Sequence, residues 1–211
     1  MSRARSNDST PGVLFLIVGP SGAGKDSLID AARARFAGLK DITFIERVIT
    51  RPSCAGGEAH RGVTAAAFER LYRSGRFILT WSVHGLDYGI PIEVCDAIEG
   101  GTSAVVNVSR GVVAEAETLF AQVVVINVTA DRSTLRDRLA ARGRESPRNV
   151  RQRLQRTVSP RPRRSALISI CNDGDLSVAA DAFCAVILGY ITGATFWSRK
   201  PNQRINPQSR T

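Results

Sequence analysis

The chain lacks what would place it in a membrane, a secretory route or a metal-cluster fold. No apolar run is long enough to span a bilayer; VLFLIV, at 13–18, is only strand-sized. The opening MSRARSNDSTPG is polar and has no apolar signal segment, so a cytoplasmic protein is expected. Cysteine occurs four times, at Cys54, Cys95, Cys171 and Cys184, and never as a CxxC pair. That spacing excludes zinc-type sites and fits free thiols, with Cys171 and Cys184 in apolar stretches that suit a core. Lysine is scarce: Lys25, Lys40 and Lys200 stand in a chain with 29 Lys and Arg against 19 Asp and Glu. Arginine therefore carries the net charge of +10. Its planar fork suits bidentate phosphate contacts, which leaves phosphorylated small molecules and nucleic acid as competing acidic partners.

A length of 211 residues and 43% apolar composition suit one soluble domain with trimmings. The apolar run 13–19 ends in Gly19 and reads as a buried parallel strand. Leu28, Ile29, Ala32 and Phe36 follow at helical spacing up to Gly38. Residues 42–50 read as one strand, 65–75 as a short helix and 77–83 as a strand. SAVVNVS and QVVVINVT are further strands around a helix at 111–120. Asp131 opens an arginine-rich helix to about 142, GRESP breaks it, and 149–158 resumes it. ALISICND is a last strand and 176–191 a closing helix. Alternating strands and helices predict an α/β fold on a mostly parallel sheet. Residues 1–11 read as a flexible tail, 12–191 as one domain, and 192–211 as a basic disordered tail.

Between the first strand and first helix lies GPSGAGKDS: Gly19, Pro20, Ser21, Gly22, Ala23, Gly24, Lys25, Asp26 and Ser27. Glycines let backbone N–H groups close around phosphates, the helix N-terminus adds positive dipole, and the lysine reaches the β- and γ-phosphates. Asp26 stands where a magnesium-binding hydroxyl is usual. A carboxylate is itself a hard-ion ligand, so Asp26 is a candidate for Mg²⁺, directly or through water, with Ser27 as the other. Beyond the loop, Arg47 and Arg51 share RVITRP, and Arg138, Arg142 and Arg153 fall in the arginine-rich stretch. The break at 143–147 predicts the tip of a lid, about 138–153, whose arginines neutralise a migrating phosphoryl group.

Together GPSGAGK, the Thr50-Arg51 pair, GGE at 56–58, YGIP at 88–91, RLAARGRES at 138–146 and Asn172-Asp173 resemble the guanylate-kinase-like branch of the nucleoside monophosphate kinases. The resemblance runs from about 13 to 191. It implies a P-loop fold with a small acceptor-binding part and ATP as co-substrate. It also puts acceptor phosphate at the Thr-Arg and Tyr-Gly positions, ATP phosphates at the lid arginines, and Asn172 beside the adenine. The departures are as informative. The family's guanine-reading glutamate falls at Leu79, a guanine-reading aspartate at Ser109, an aspartate before it at Asn107, and a phosphate-binding arginine at Cys54. A site without those carboxylates leaves the polar edge of guanine unpaired and loses it by orders of magnitude.

The combination GPSGAGKD, RVITRP, HGLDYGIP, VVNVSR and RLAARGRE is similar to the ribose 1,5-bisphosphate phosphokinases of phosphonate catabolism. That resemblance implies ATP- and Mg²⁺-dependent conversion of α-D-ribose 1,5-bisphosphate to 5-phospho-α-D-ribose 1-diphosphate, with the 5-phosphate expected as acceptor. Arg47, Arg51 and Tyr88 are then expected on acceptor phosphate, Arg110 on the second phosphate, Glu58 and His60 on the sugar, and Arg138, Arg142 and Arg153 on the migrating group. His84 and Asp87 are expected in structural turn positions. The rivals are a nucleoside monophosphate kinase such as guanylate kinase, and an inactive guanylate-kinase-like binding module or RNA binder.

Overall fold

A computed structural model describes residues 10–53, 59–141, 160–193 and the backbone of 203–205. The strands are β1 (Leu14–Val18), β2 (Ile42–Phe44), β3 (Arg47–Ile49), β4 (His60–Gly62), β5 (Phe77–Val83), β6 (Leu86–Pro91), β7 (Ser103–Asn107), β8 (Val123–Thr129), β9 (Ala166–Cys171) and β10 (Gln203–Ile205). The helices are α1 (Lys25–Arg35), α2 (Ala65–Arg73), α3 (Val94–Glu99), α4 (Val113–Leu119), α5 (Arg132–Ala141) and α6 (Leu176–Ile191).

β1 is apolar throughout because both of its faces are covered. Phe15 and Ile17 join a cluster with Leu28 of α1, Leu135 of α5 and Phe183 of α6. Leu14, Leu16 and Val18 join a second cluster with Leu79, Ile90 and Val113. Each such side chain withdrawn from water stabilises the fold by roughly 1.5–3 kcal/mol. The parallel sheet runs β10-β9-β8-β1-β7-β2, and a smaller sheet runs β4-β3-β6-β5. Because the first sheet is parallel, the chain leaves β1, β7, β8 and β9 at the same edge, where ligands bind in open α/β folds.

One expectation needs correction. The strand expected over 42–50 is two: β2 pairs with β7 in the large sheet, whereas β3 pairs with β6 and β4 in the small one. The chain changes sheets at exposed Glu46, and no local periodicity marks the change. The C-terminal tail, expected to be partly or wholly disordered, contributes β10, in parallel register with Ile168, Ser169 and Ile170. Pro11, placed in the N-terminal tail, is held by Gln122 Nε2, which donates to its carbonyl at 3.2 Å. Residues 1–9, 194–202 and 206–211 of the terminal tails, the lid tip and the helix expected at 149–158 lie outside the described residues. Among the described residues no helix is long and apolar enough to cross a membrane.

The hairpin of β5 and β6 turns on His84 and Gly85, with φ of 54° and 73°. Two consecutive positive-φ residues make the two-residue turn that matches strand twist, so the structural role expected for His84 holds. Asp87, expected in a turn, instead lies within β6, accepting from Ser82 Oγ at 2.6 Å.

Glu117, only 4% exposed on α4, accepts from the backbone N–H groups of Arg163, Arg164 and Ser165 at 2.9, 2.8 and 2.7 Å. It thereby anchors the segment that leads into β9. Burial alone would raise the carboxyl, but these donors outweigh it and bring it from 4.5 to about 2. A depressed carboxylate pKa stabilises the fold fully above the unfolded value of 4.5, and that stability is lost as pH falls towards 2. Glu117→Gln is expected to cost about 3 kcal/mol at neutral pH. In urea unfolding the gap to wild type should close across that acid window; a pH-independent gap would refute the assignment.

Candidate active site

The phosphate loop owes its shape to glycines where no side chain fits. A Cβ on Gly19 (φ 145°) would lie 2.2 Å from the Val128 carbonyl oxygen, and one on Gly24 (φ 88°) would lie 2.2 Å from Asn172 Nδ2. The loop is thus wedged against β8 on one side and the end of β9 on the other. Lys25 Nζ lies over it, donating to the Gly19 and Pro20 carbonyls at 3.0 Å each. Asn172, 2% exposed, holds the loop from beneath: its backbone N–H donates to Thr129 O and its Nδ2 to Ala23 O, both at 2.8 Å. The resemblance puts Asn172 beside the adenine; the structure gives its amide nitrogen to the loop. Among the described residues Asn172 Oδ1 and Arg138 Nη1 are buried without a hydrogen-bond partner, and Arg138 reaches within 3.8 Å of the Gly24 Cβ position.

Asp173 next to Asn172 accepts from Asp131 N at 2.5 Å and from Cys171 Sγ at 2.8 Å. It fixes the start of α5, and hence of the helix that carries Arg138. Cys171, expected in the core, is only half-buried for this reason, while Cys184 is buried as expected.

Across the sheet edge, Arg47 is 8% exposed, its guanidinium 5.9 Å from the Trp81 ring and 5.5 Å from the Tyr88 ring. Those rings stack at 5.2 Å and 6°, because Trp81 and Tyr88 are directly opposed in the hairpin. Aromatic faces attract a guanidinium, which helps hold the buried charge. Burial lowers the Arg47 pKa to about 10, with Asp26 and Tyr88 opposing and Arg51 adding, so Arg47 remains a cation at neutral pH.

Asp26, in the first turn of α1, accepts from Asn107 Nδ2 at 2.7 Å. Asn107 is the last residue of β7, so this bond ties the phosphate loop to the edge that bears Arg110. Ser27 is exposed one position further around α1. His60 is a buried strand residue paired in register with Arg47, and its ring meets Arg51 at Nη2 (3.3 Å) and at the carbonyl (3.3 Å). Burial, and then the Arg51 charge, lower its pKa and keep it neutral. It thereby holds the Arg51 side chain in place. Thr50 Oγ1 accepts from Asp87 N at 2.8 Å, fixing the turn into Arg51. Arg110 is half-buried on a 3-10 turn after β7, capped by Ser109 Oγ, and burial lowers its pKa.

The ends of β1, β7, β8 and β9 thus place Lys25, Asp26, Arg110, Arg138 and Asn172 along one edge, and the small sheet sets Arg47 across a cavity from Asp26, with Tyr88 and Arg51 beside it. Glu58, Arg142 and Arg153 lie outside the described residues. Sequence reasoning missed Trp81, whose signal was its place two residues from Leu79 on one face of β5. Among the described residues no group of three or more His, Cys, Asp or Glu forms a metal cage. A single half-buried carboxylate beside a phosphate loop fits Mg²⁺ held mainly by nucleotide oxygens and water.

No protein-family model matches the chain. It is 44% identical over 196 residues to the bifunctional ribose 1,5-bisphosphokinase-thymidine phosphorylase of Cupriavidus necator, covering 92% of this chain and 32% of that protein. The chain thus spans about a third of the length of that bifunctional relative. It is 39% identical to the ribose 1,5-bisphosphate phosphokinase PhnN of Brucella melitensis over 176 residues, 83% of this chain and 92% of the relative. The same enzyme of Rhizobium etli is 39% identical over 180 residues, 85% and 91% of the two chains. Among solved structures, guanylate kinase from Anaplasma phagocytophilum superposes with a TM-score of 0.63 at 20% identity, covering 86% of this chain and 87% of that one. That likeness establishes the guanylate-kinase-like fold. With near-full coverage of two monofunctional relatives, the chain belongs to the ribose 1,5-bisphosphate phosphokinase family.

Proposed function

We propose that this chain transfers the γ-phosphoryl group of ATP to α-D-ribose 1,5-bisphosphate, forming 5-phospho-α-D-ribose 1-diphosphate and ADP. The observation that carries this reading is the pairing of an intact phosphate loop with an acceptor side built from Arg47, Arg51 and Tyr88, where Leu79 is sealed in the core. Arginines there suit phosphate; no carboxylate at Leu79 or Ser109 is left to read a guanine edge.

Atom balance corrects one expectation. The product carries its diphosphate on carbon 1, so an oxygen of the 1-phosphate attacks the γ-phosphorus, and the bond to the β–γ bridging oxygen breaks. The 5-phosphate is the handle. The attacking oxygen is already ionised, so no general base is required and catalysis is positioning plus charge neutralisation. Lys25 and the loop amides hold donor phosphates, and Arg138, set against the loop by α5, faces the migrating group. Arg47 and Arg51 hold acceptor phosphate, with Arg110 for the second one. Magnesium would be held at Asp26, with Ser27 the more exposed alternative, and would supply neutralisation of the donor phosphates.

Phosphorus NMR of ATP with ribose 1,5-bisphosphate is expected to show a new coupled diphosphate pair as ATP is consumed. Turnover with GMP and none with ribose 1,5-bisphosphate would overturn the proposal in favour of a nucleoside monophosphate kinase.

A further inference from the structure

The carboxylate of Asp26 faces two ways. Through α1 it belongs to the phosphate loop, one residue beyond Lys25. Through a cavity of about 30 Å³ it faces Arg47, with Asn107, Arg33 and Asp30 also on the walls. Asn107 fixes it there, donating to Oδ1 at 2.7 Å. A serine or threonine in its place would carry no charge, so the aspartate adds a fixed negative charge between the donor and acceptor sites.

We propose that Asp26 is an electrostatic interlock, opposing acceptor phosphate at Arg47 until magnesium and nucleotide occupy the loop. The inference rests on the acceptor reading given above. With Asp26 uncompensated, a phosphate dianion approaching Arg47 meets a carboxylate in the same partly dry space, and two anions there disfavour each other. The attraction that Asp26 exerts on Arg47 acts in the same direction, since the arginine already has a counter-charge. A cation at Asp26 removes both effects. Acceptor affinity then rises when the donor is present, and by linkage donor affinity rises equally when the acceptor is present. The interlock disfavours a dead-end complex of enzyme and sugar bisphosphate alone. Trp81 and Tyr88 make it effective, because their stacked faces keep Arg47 from swinging away from Asp26.

The test is calorimetric titration of the full chain with ribose 1,5-bisphosphate, with and without saturating Mg·ADP, in wild type, Asp26→Asn and Asp26→Ser. Wild type is expected to bind at least about fivefold more tightly with Mg·ADP, within the usual range of coupling between sites. Asp26→Asn keeps the shape, and should bind the bisphosphate more tightly than wild type without Mg·ADP and show a ratio near one. Asp26→Ser, which restores an ordinary loop hydroxyl, should also lose the coupling. A wild-type ratio near one, or an unchanged ratio in either variant, overturns the interlock. Inorganic phosphate, run as a second probe, separates this from the reaction itself. Asp26-dependent coupling to phosphate without turnover of ribose 1,5-bisphosphate keeps the interlock and loses the reaction. Turnover with the coupling ratio unchanged in Asp26→Asn does the reverse.

Discussion

Replacing Lys25 with Ala should lower phosphoryl transfer on the order of a thousandfold while leaving the fold in place. The lysine is not part of either apolar cluster, and its Nζ donates to backbone oxygens of its own loop, at Gly19 and Pro20. Removing it takes away the cation that can leave those carbonyls and follow charge onto the leaving β-phosphate. The loop keeps its shape because that comes from Gly19, Gly24 and the Asn172 clamp. Coupled ADP release would measure the loss, and circular dichroism would show an unchanged spectrum. An active variant would remove Lys25 from the mechanism, and an unfolded one would make it structural.

The second large effect concerns the position where guanylate kinases place a glutamate. Leu79→Glu should destabilise the protein by about 3–5 kcal/mol and confer no turnover of GMP. Leu79 is 2% exposed and paired with Ile90 on the hairpin face that packs against β1 and β7. A carboxylate there would be surrounded by the apolar side chains of Leu14, Leu16 and Ile90. The same face opens one pair further along, at Trp81 and Tyr88, where Arg47 already occupies the space. Urea unfolding measures the first part and coupled assays with GMP the second. A stable Leu79→Glu protein that phosphorylates GMP would show that the acceptor cleft reaches deeper than Trp81.

Local chemistry made the first half of this site readable. A continuous apolar run, glycines at set spacing and a following helical period describe β1, the loop and α1 without reference to the rest of the chain. What depended on distant partners was not readable. The run over 42–50 keeps one period while its hydrogen-bonding neighbour changes from β7 to β6. Gln203, Arg204 and Ile205 carry no alternation, yet their backbone pairs with β9. The burial of His60 was not readable either, because it depends on Arg51 and on the β3 pairing. Glu117 was legible in principle: it shares the buried face of α4 with Val113 and Ala116, where a charge calls for a partner. The partner, though, is backbone beyond the arginine-rich stretch.

The central place of β1 also sets when the protein becomes competent. Leu14 pairs with Ala104 on one side and Val123 on the other, so the strand that feeds the phosphate loop waits for chain far downstream. Contacts of such sequence separation close slowly. The loop is finished later still, when Asn172 arrives from the end of β9 to hold Ala23. A ribosome will therefore have released almost the whole domain before nucleotide can be gripped, and capture of ATP marks the end of folding, although its motif precedes nearly all of the domain's other elements.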